Sequence, residues 1–247
     1  MKRIVIVGAS SGIGMRVAQL LIKRGDRVAV AARRVDRLQS LHDLAPDCVV
    51  TAALDVNDES APARLQDMIQ QLGGMDIYLH VAGVGWRNNA LEPDIELNTM
   101  QTNGLGFTRM VGEAYRYFAE QGRGHIVCIT SIAGTKGLGA APAYSATKAM
   151  QNTYLEALHQ QAHARHLDIR FTDVRPGFVQ TDLLNDGNSY PLLMSPDRVA
   201  RSVVSALDRR KGVAVIDGRW GVITWVWRHL VPHWLWWRLP IGIQADK

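Results

Sequence analysis

Cysteine is scarce in this chain of 247 residues: only Cys48 and Cys128 occur. Both lie inside apolar, strand-like runs, so they are expected as buried, reduced thiols, and a disulfide scaffold or a cysteine metal centre is excluded. The start, Met1 to Gly8, is basic but offers a short apolar run before its glycine, too little for a signal-peptide core, and reads as a strand. Internal repeats and low-complexity segments are lacking too. What remains is 47% hydrophobic and 21% charged, ordinary material for one large domain in a reducing compartment. A formal net charge of +5 goes with basic residues that are scattered. Their one compact cluster, Arg209-Arg210-Lys211, is read as a solvated helix end, so no nucleic-acid partner is expected.

Short apolar runs alternate with amphipathic helical stretches, the pattern of an α/β fold in three layers, a doubly wound parallel sheet covered on both faces. Ile4–Val7 leads into Gly8-Ala-Ser10-Ser11-Gly12-Ile13-Gly14, followed by helical periodicity from Met15 to Lys23 with Gly25 as its stop. Strand, glycine turn and helix in that order make a dinucleotide site: the glycines let the backbone approach a pyrophosphate, and the helix amino terminus offers N–H groups to it. A second strand, Arg27–Ala32, ends in Arg33-Arg34, where an NAD enzyme places an acid for the ribose 2′-hydroxyl. Two guanidiniums there fit a 2′-phosphate, so NADP is favoured over NAD. A helix is expected from Val35 to Leu44.

The third strand, Cys48–Leu54, runs into Asp55-Val56. Asp58 or Ser60 is the better cap for the helix through Leu72, which frees Asp55 to face the adenine. The fourth strand, Met75–Val81, ends in Ala82-Gly83, small enough for a cofactor to pass.

A second constellation lies in the middle of the chain. Tyr144 and Lys148 are four apart, so on a helix the phenol and the ammonium share one face. A fixed cation near a phenol draws its pKa down toward neutrality and makes it a general acid. Ser131 follows the apolar strand His125–Thr130, at the carboxyl end where open α/β sheets bind ligands.

With these motifs placed, the chain resembles the short-chain dehydrogenase/reductase family from Ile4 to about Val215, a Rossmann-type fold. The resemblance rests on Gly8-x-x-x-Gly12-x-Gly14, Asp55-Val56, Ala82-Gly83, Asn103, Ser131, Tyr144-x-x-x-Lys148 and Pro176-Gly177. It implies that Ser131 hydrogen-bonds a substrate carbonyl, that Tyr144 moves its proton, and that Lys148 lowers the pKa of Tyr144 and holds the nicotinamide ribose. Asn103, inside a helix from Leu97 to Ala119, would keep a proton-relay water. Pro176-Gly177 would pass the nicotinamide, with Val179 and Thr181 at its carboxamide. One departure stands out. His80-Val81 replaces the amides that commonly tie neighbouring strands, and His80 is expected to be structural, with a substitute hydrogen bond. His159, His163 and His166 are expected on a solvated face rather than at a metal.

Phe178–Pro191, with Asn185 to Ser189 at its centre, reads as a loop over the substrate pocket. Ser195 is expected to cap a helix that starts with Pro196 and buries Val199, Val203, Val204 and Leu207; a last strand spans Gly212–Ile216.

Residues 219–247 form a separate tail after a catalytic domain of 1–218. Six of the seven tryptophans fall between Trp220 and Trp237. As a helix, Val222, Ile223, Val226, Trp227, Leu230 and Val231 make one apolar stripe, with Thr224, Arg228 and His229 opposite. Three roles stay open: an interfacial anchor on a membrane, a lid over the pocket, or a subunit contact. Each implies an apolar substrate entrance.

The expected function is an NADP-dependent oxidoreductase moving hydride between the nicotinamide and a carbonyl or secondary alcohol. Subunits are expected as a homodimer or homotetramer, in the cytoplasm, with the tail as a peripheral contact on a membrane's inner face. Alternatives are a cofactor-sensing protein without catalysis, a membrane-surface scaffold, and an epimerase or dehydratase with bound nucleotide.

Overall fold

A computed structural model describes residues 1–181, 184 and 189–241. Its strands are β1 (Arg3–Val7), β2 (Arg27–Ala32), β3 (Val49–Ala53), β4 (Ile77–His80), β5 (Arg123–Ile129), β6 (Asp168–Arg175) and β7 (Val213–Val215). They form one parallel sheet in the order β3-β2-β1-β4-β5-β6-β7. Because successive side chains on a strand face opposite ways, Ile4 and Ile6 enter one core while Val5 and Val7 enter the other. α1 (Gly12–Lys23) and α7 (Pro196–Asp208) cover the first face. α3 (Ala61–Leu72), α5 (Phe107–Gln121) and α6 (Pro142–Ala164) cover the second. Strand order reverses between β1 and β4, and the crevice beyond their carboxyl ends is where such sheets take ligands.

Several elements differ from the sequence pattern. The expected helix over Val35–Leu44 is a 3₁₀ turn, Val35–Leu38, followed by the single turn α2 (Gln39–His42). The helix expected from Leu97 to Ala119 is α4 (Pro93–Met100), a π-helical stretch (Gln101–Gly106) and α5. A β-carbon on Gly106 would lie 2.8 Å from Cγ2 of Val56, so the helix must pass the loop after β3 here without a side chain. Ser60 precedes α3 but makes no side-chain cap; Pro62 in the first turn starts that helix instead. Ser195 caps α7 as expected, its hydroxyl accepting the Arg198 N–H at 3.4 Å. Cys128 is buried and Cys48 half-buried, both as free thiols.

The tail folds as α8 (Gly218–His229) and α9 (His233–Trp236). The Asp217 carboxylate caps α8 by accepting the Arg219 N–H at 3.0 Å. The expected stripe is corrected. α8 buries Trp220 and Thr224 with Trp227 beside them, while Val222 and Leu230 face outward. One contact sets this rotation. Trp220 docks on Gly177, where a β-carbon would collide with the indole; within the helix the Thr224 hydroxyl donates to the Trp220 carbonyl at 2.7 Å, so Thr224 is buried with its hydroxyl paired, whereas the Trp220 indole N–H is buried without a partner among the described residues. Among the described residues no helix is long and apolar enough to cross a membrane. The expected loop over Phe178–Pro191 falls partly on 182–183 and 185–188, and the end of the tail on 242–247, which lie outside the described residues.

Candidate active site

The loops after β1 and β4 abut at the switch point. Gly8 has φ +98°, and a β-carbon on it would collide with the backbone of Val81 and Ala82; one on Gly14 would collide with the Gly8 carbonyl. The turn Gly8–Gly14 therefore presents bare backbone and the amino end of α1, with Ser11 in extended geometry and no side-chain cap of its own. That cradle fits a pyrophosphate, with Ser10, Ser11, Gly12 and Ile13 as the residues that would line it. Arg33 and Arg34 stand exposed at the end of β2, and neither forms an ion pair among the described residues. Asp55 is less free than expected: one carboxylate oxygen accepts the Asn57 N–H at 3.0 Å, so it first shapes its own turn. Val56 is buried, and its carbonyl accepts from Arg109 at 2.7 Å.

Ser131 leaves β5 in extended conformation and its hydroxyl accepts the Ala133 N–H at 3.0 Å, which fixes the oxygen. The Ile132 N–H donates to the Pro176 carbonyl at 3.1 Å and joins this loop to the one after β6. Tyr144 stands in the first turns of α6, its phenol near enough to the Ser131 hydroxyl to feel it electrostatically. A β-carbon on Gly85 would lie 2.6 Å from Cδ2 of Tyr144, so only a glycine lets the loop after β4 lie on the ring. Lys148, one turn on, is buried with its ammonium 5.6 Å from the Tyr144 ring centroid. Nζ donates to the Ile129 carbonyl at 3.2 Å and to Oε1 of Gln151 at 3.0 Å.

Burial acts on both groups. It pushes the Tyr144 phenol above its ordinary value, with the Ser131 hydroxyl pulling partly back. It lowers Lys148 to about 8, against the opposing pull of Cys128 and Asp173. In the protein alone the phenol is thus raised rather than drawn toward neutrality, with desolvation of the phenolate as the main cause.

Asn103 is fully buried in the π-helical stretch, and its side chain is committed to the loop after β4. Its Oδ1 accepts the Val84 N–H at 2.9 Å and its Nδ2 donates to the Val84 carbonyl at 2.7 Å. Its own carbonyl accepts from Nε2 of Gln151 at 2.9 Å. Gln151, fully buried, therefore clamps Lys148 to the Asn103 backbone. Sequence reasoning missed it, although three residues after Lys148 on one helix it had to share that face.

His80 is buried and packs edge-on to Phe107. Nδ1 lies 2.9 Å from the Tyr78 hydroxyl on its own strand, so the substitute bond does not tie strands together. Burial, then the Lys148 charge, hold its pKa at about 3. His159, His163 and His166 are exposed, and no cluster able to hold a metal occurs among the described residues.

Val179 bridges Met194, and the Thr181 methyl comes within 3.1 Å of where a Gly12 β-carbon would stand. The segment Pro176–Thr181 thus crosses back over the glycine turn, closing the crevice that Ala82 and Gly83 flank from the other side. Inward-facing tail residues pack against this segment. Phe178, Trp220, Trp227 and Trp236 follow one another with ring centroids 5.6, 6.1 and 5.3 Å apart. Trp236 Nε1 donates to the Gly137 carbonyl at 2.7 Å and Lys136 Nζ to the Val231 carbonyl at 3.0 Å, both from the loop that follows Ser131.

A doubly wound sheet with a glycine turn at its switch point defines the class: a dinucleotide-binding protein. A family model described as short chain dehydrogenase matches residues 2–190. An uncharacterised oxidoreductase of Mycobacterium tuberculosis is 32% identical, with 97% of this chain and 94% of the relative covered. Among solved structures, a short chain dehydrogenase from Burkholderia cenocepacia in complex with NADP has a TM-score of 0.80 at 21% identity, over 92% of this chain and 93% of that one. A serine dehydrogenase complexed with NADP+ has a TM-score of 0.77 at 24% identity, over 87% and 94%. The chain belongs to the short-chain dehydrogenase/reductase family and is an NAD(P)-dependent oxidoreductase.

Proposed function

We propose that the protein is an NADP-dependent carbonyl reductase or alcohol dehydrogenase acting on an apolar substrate. The observation that carries this reading is the meeting of the Ser131 and Tyr144 hydroxyls above the buried Lys148, beside the glycine turn. The cofactor, when bound, supplies the hydride. Ser131, its oxygen already oriented by Ala133, donates to the substrate oxygen as negative charge gathers there. Tyr144, held protonated at neutral pH by burial, delivers the proton to that oxygen. Lys148 supplies positive charge beneath the phenol and the donor for the nicotinamide ribose. Asn103 acts on the shape of the site, holding the loop after β4 at Val84.

Gly8, Ser10, Ser11, Gly12, Ile13 and Gly14 would hold the pyrophosphate, and Asp55 with Val56 the adenine edge. Ala82 and Gly83 would flank the nicotinamide half, and Pro176, Gly177, Val179 and Thr181 would border its carboxamide. The preference for NADP is supported by Arg33 and Arg34, two exposed guanidiniums without ion-pair partners among the described residues, and by NADP in structures of similar fold. An apolar substrate is supported by the aromatic inner side of the tail. Subunits pair as homodimers or homotetramers in this reading, in the cytoplasm, and the tail makes a peripheral contact with a membrane's inner face.

Tyr144→Phe tests the mechanism. NADPH binding, read by its fluorescence, stays within about twofold, while NADPH oxidation across a panel of ketones and aldehydes falls at least about 1,000-fold. A variant that turns over at the normal rate refutes it.

A further inference from the structure

The tail sorts its tryptophans into two sets. Trp220 and Trp236 are buried and Trp227 lies between them, whereas Trp225, Trp234 and Trp237 are 55%, 58% and 78% exposed. Val222 and Leu230, at 66% and 62%, are exposed with them. Scattered surface apolar residues need no explanation, but three open indoles with aliphatic neighbours on two successive short helices do. Their charges are of one sign. From Gly218 to Ile241 the chain carries Arg219, Arg228 and Arg238 and no carboxylate. Arg238 lies 5.8 Å from the Trp234 ring centroid, and Arg228 is exposed without an ion pair among the described residues. The carboxylate just before the segment, Asp217, is already engaged by Arg198 and Arg219.

We infer that this outer face rests on an anionic lipid surface, and that the active site is fed from that surface with lipid-soluble carbonyl compounds. Tryptophan belongs at the headgroup level, where its ring is buried and its N–H stays wet; aliphatic neighbours reach the acyl boundary; arginines meet anionic headgroups. A second copy fits poorly. An isologous contact sets a patch against itself, and here it would bring arginines against arginines with no acid between them. A nucleic acid would satisfy the arginines but leave Val222 and Leu230 in water.

The link to the site comes from the other side of the same helices. Trp220 lies on Gly177, and Trp236 and Val231 are bonded to the loop that follows Ser131. Whatever covers the outer face therefore lies a helix's thickness from the site mouth. The supply of substrate from the bilayer rests on the redox reading of the site; the lipid contact does not.

The test is flotation of the full chain with vesicles of phosphatidylcholine alone or mixed with phosphatidylglycerol, against the variant Trp225→Ser, Trp234→Ser, Trp237→Ser. Wild type floats with the anionic vesicles, and the variant, its thermal unfolding unchanged because the positions are exposed, floats at least about tenfold less. Turnover is then read with cyclohexanone in solution and with a long-chain methyl ketone dissolved in the vesicles. The variant keeps its rate on cyclohexanone within about twofold and loses at least about tenfold on the vesicle-borne ketone. Wild type left unbound by both vesicle types overturns the inference, as does a wild-type dimer that the variant converts to monomer without any vesicle binding. Flotation needs no turnover, so failure of the redox reading, seen as no ketone reduced by any form, is distinguishable from failure of the lipid contact.

Discussion

Two buried histidines make stability depend on pH in a window that few other groups share. His80 is held at about 3, by burial and then by the charge of Lys148; His125 is held at about 4, by burial and then by the charges of Arg210, Lys2 and Arg170. Both depart from an ordinary value of 6.5. Between those limits the unfolded chain binds protons that the folded chain refuses, so stability rises with pH and is lost as pH falls below about 6.5. At about pH 5 the unfolded form gains about 2 kcal/mol from each ring, at 1.36 kcal/mol per unit, and about 4 kcal/mol from the two. Carboxylates do not confuse this range. Asp76, paired with Arg3, sits below 3.8 in the fold, so its contribution is lost only at lower pH. Urea unfolding followed by circular dichroism at about pH 7, 6 and 5 should show the midpoint falling toward the acid end, with an unfolding free energy lower by about 4 kcal/mol at about pH 5, against a typical domain's reserve of about 5–15 kcal/mol. His80→Gln should remove about half of the slope, and the loss should be absent above about pH 7. A stability that stays flat from pH 7 to 5 in the native chain would refute the claim that these rings are buried and neutral.

Three further outcomes follow from single contacts. Replacing Arg33 and Arg34 together by Ser should raise the KM for NADPH by about 10- to 100-fold and leave that for NADH nearly unchanged, because only the 2′-phosphate loses its guanidiniums; equal effects on both cofactors would dismiss the assignment. Trp220→Ala should cost about 3–5 kcal/mol of unfolding free energy by empty volume against Gly177, Phe178 and Trp227, with Trp220→Phe milder, as read by denaturant titration. Gln151→Leu removes the acceptor that steadies the Lys148 ammonium and should move the limb of the pH–rate profile near about 8 to lower pH, whereas a purely structural loss would lower the rate without moving the limb.

The strands, the glycine turn and the Ser131, Tyr144 and Lys148 set were legible because a strand buried on both faces writes itself as a continuous apolar run. Val28–Ala32 and Ile126–Ile129 are such runs. Where tertiary contacts decide the backbone, periodicity was silent. The π-helical stretch at Gln101–Gly106 fits around Val56 and the loop at Val84, residues far away in the chain. The tail failed for a related reason. With apolar residues nearly all round α8, the pattern could not tell which of its faces is buried, and the choice fell to one steric fact, the absence of a β-carbon at Gly177.

Tyr144 and Lys148 respond to burial in opposite senses on the pKa scale, yet the cause is one: low-dielectric surroundings disfavour the charged form of each. A phenol that stays protonated is the starting state for giving a proton to a substrate oxygen, and an ammonium near 8 is the most weakly held positive charge in the site. At neutral pH the proton that the reduction consumes is therefore stored on the group that faces the substrate. The reverse reaction must begin from phenolate, which burial opposes, so it is the direction that needs alkaline conditions or added positive charge at the phenol. Gln151 matters here because it binds the ammonium through a neutral oxygen. A carboxylate at that place would cancel the charge on which phenolate formation depends, while an apolar residue would leave a buried donor unmet.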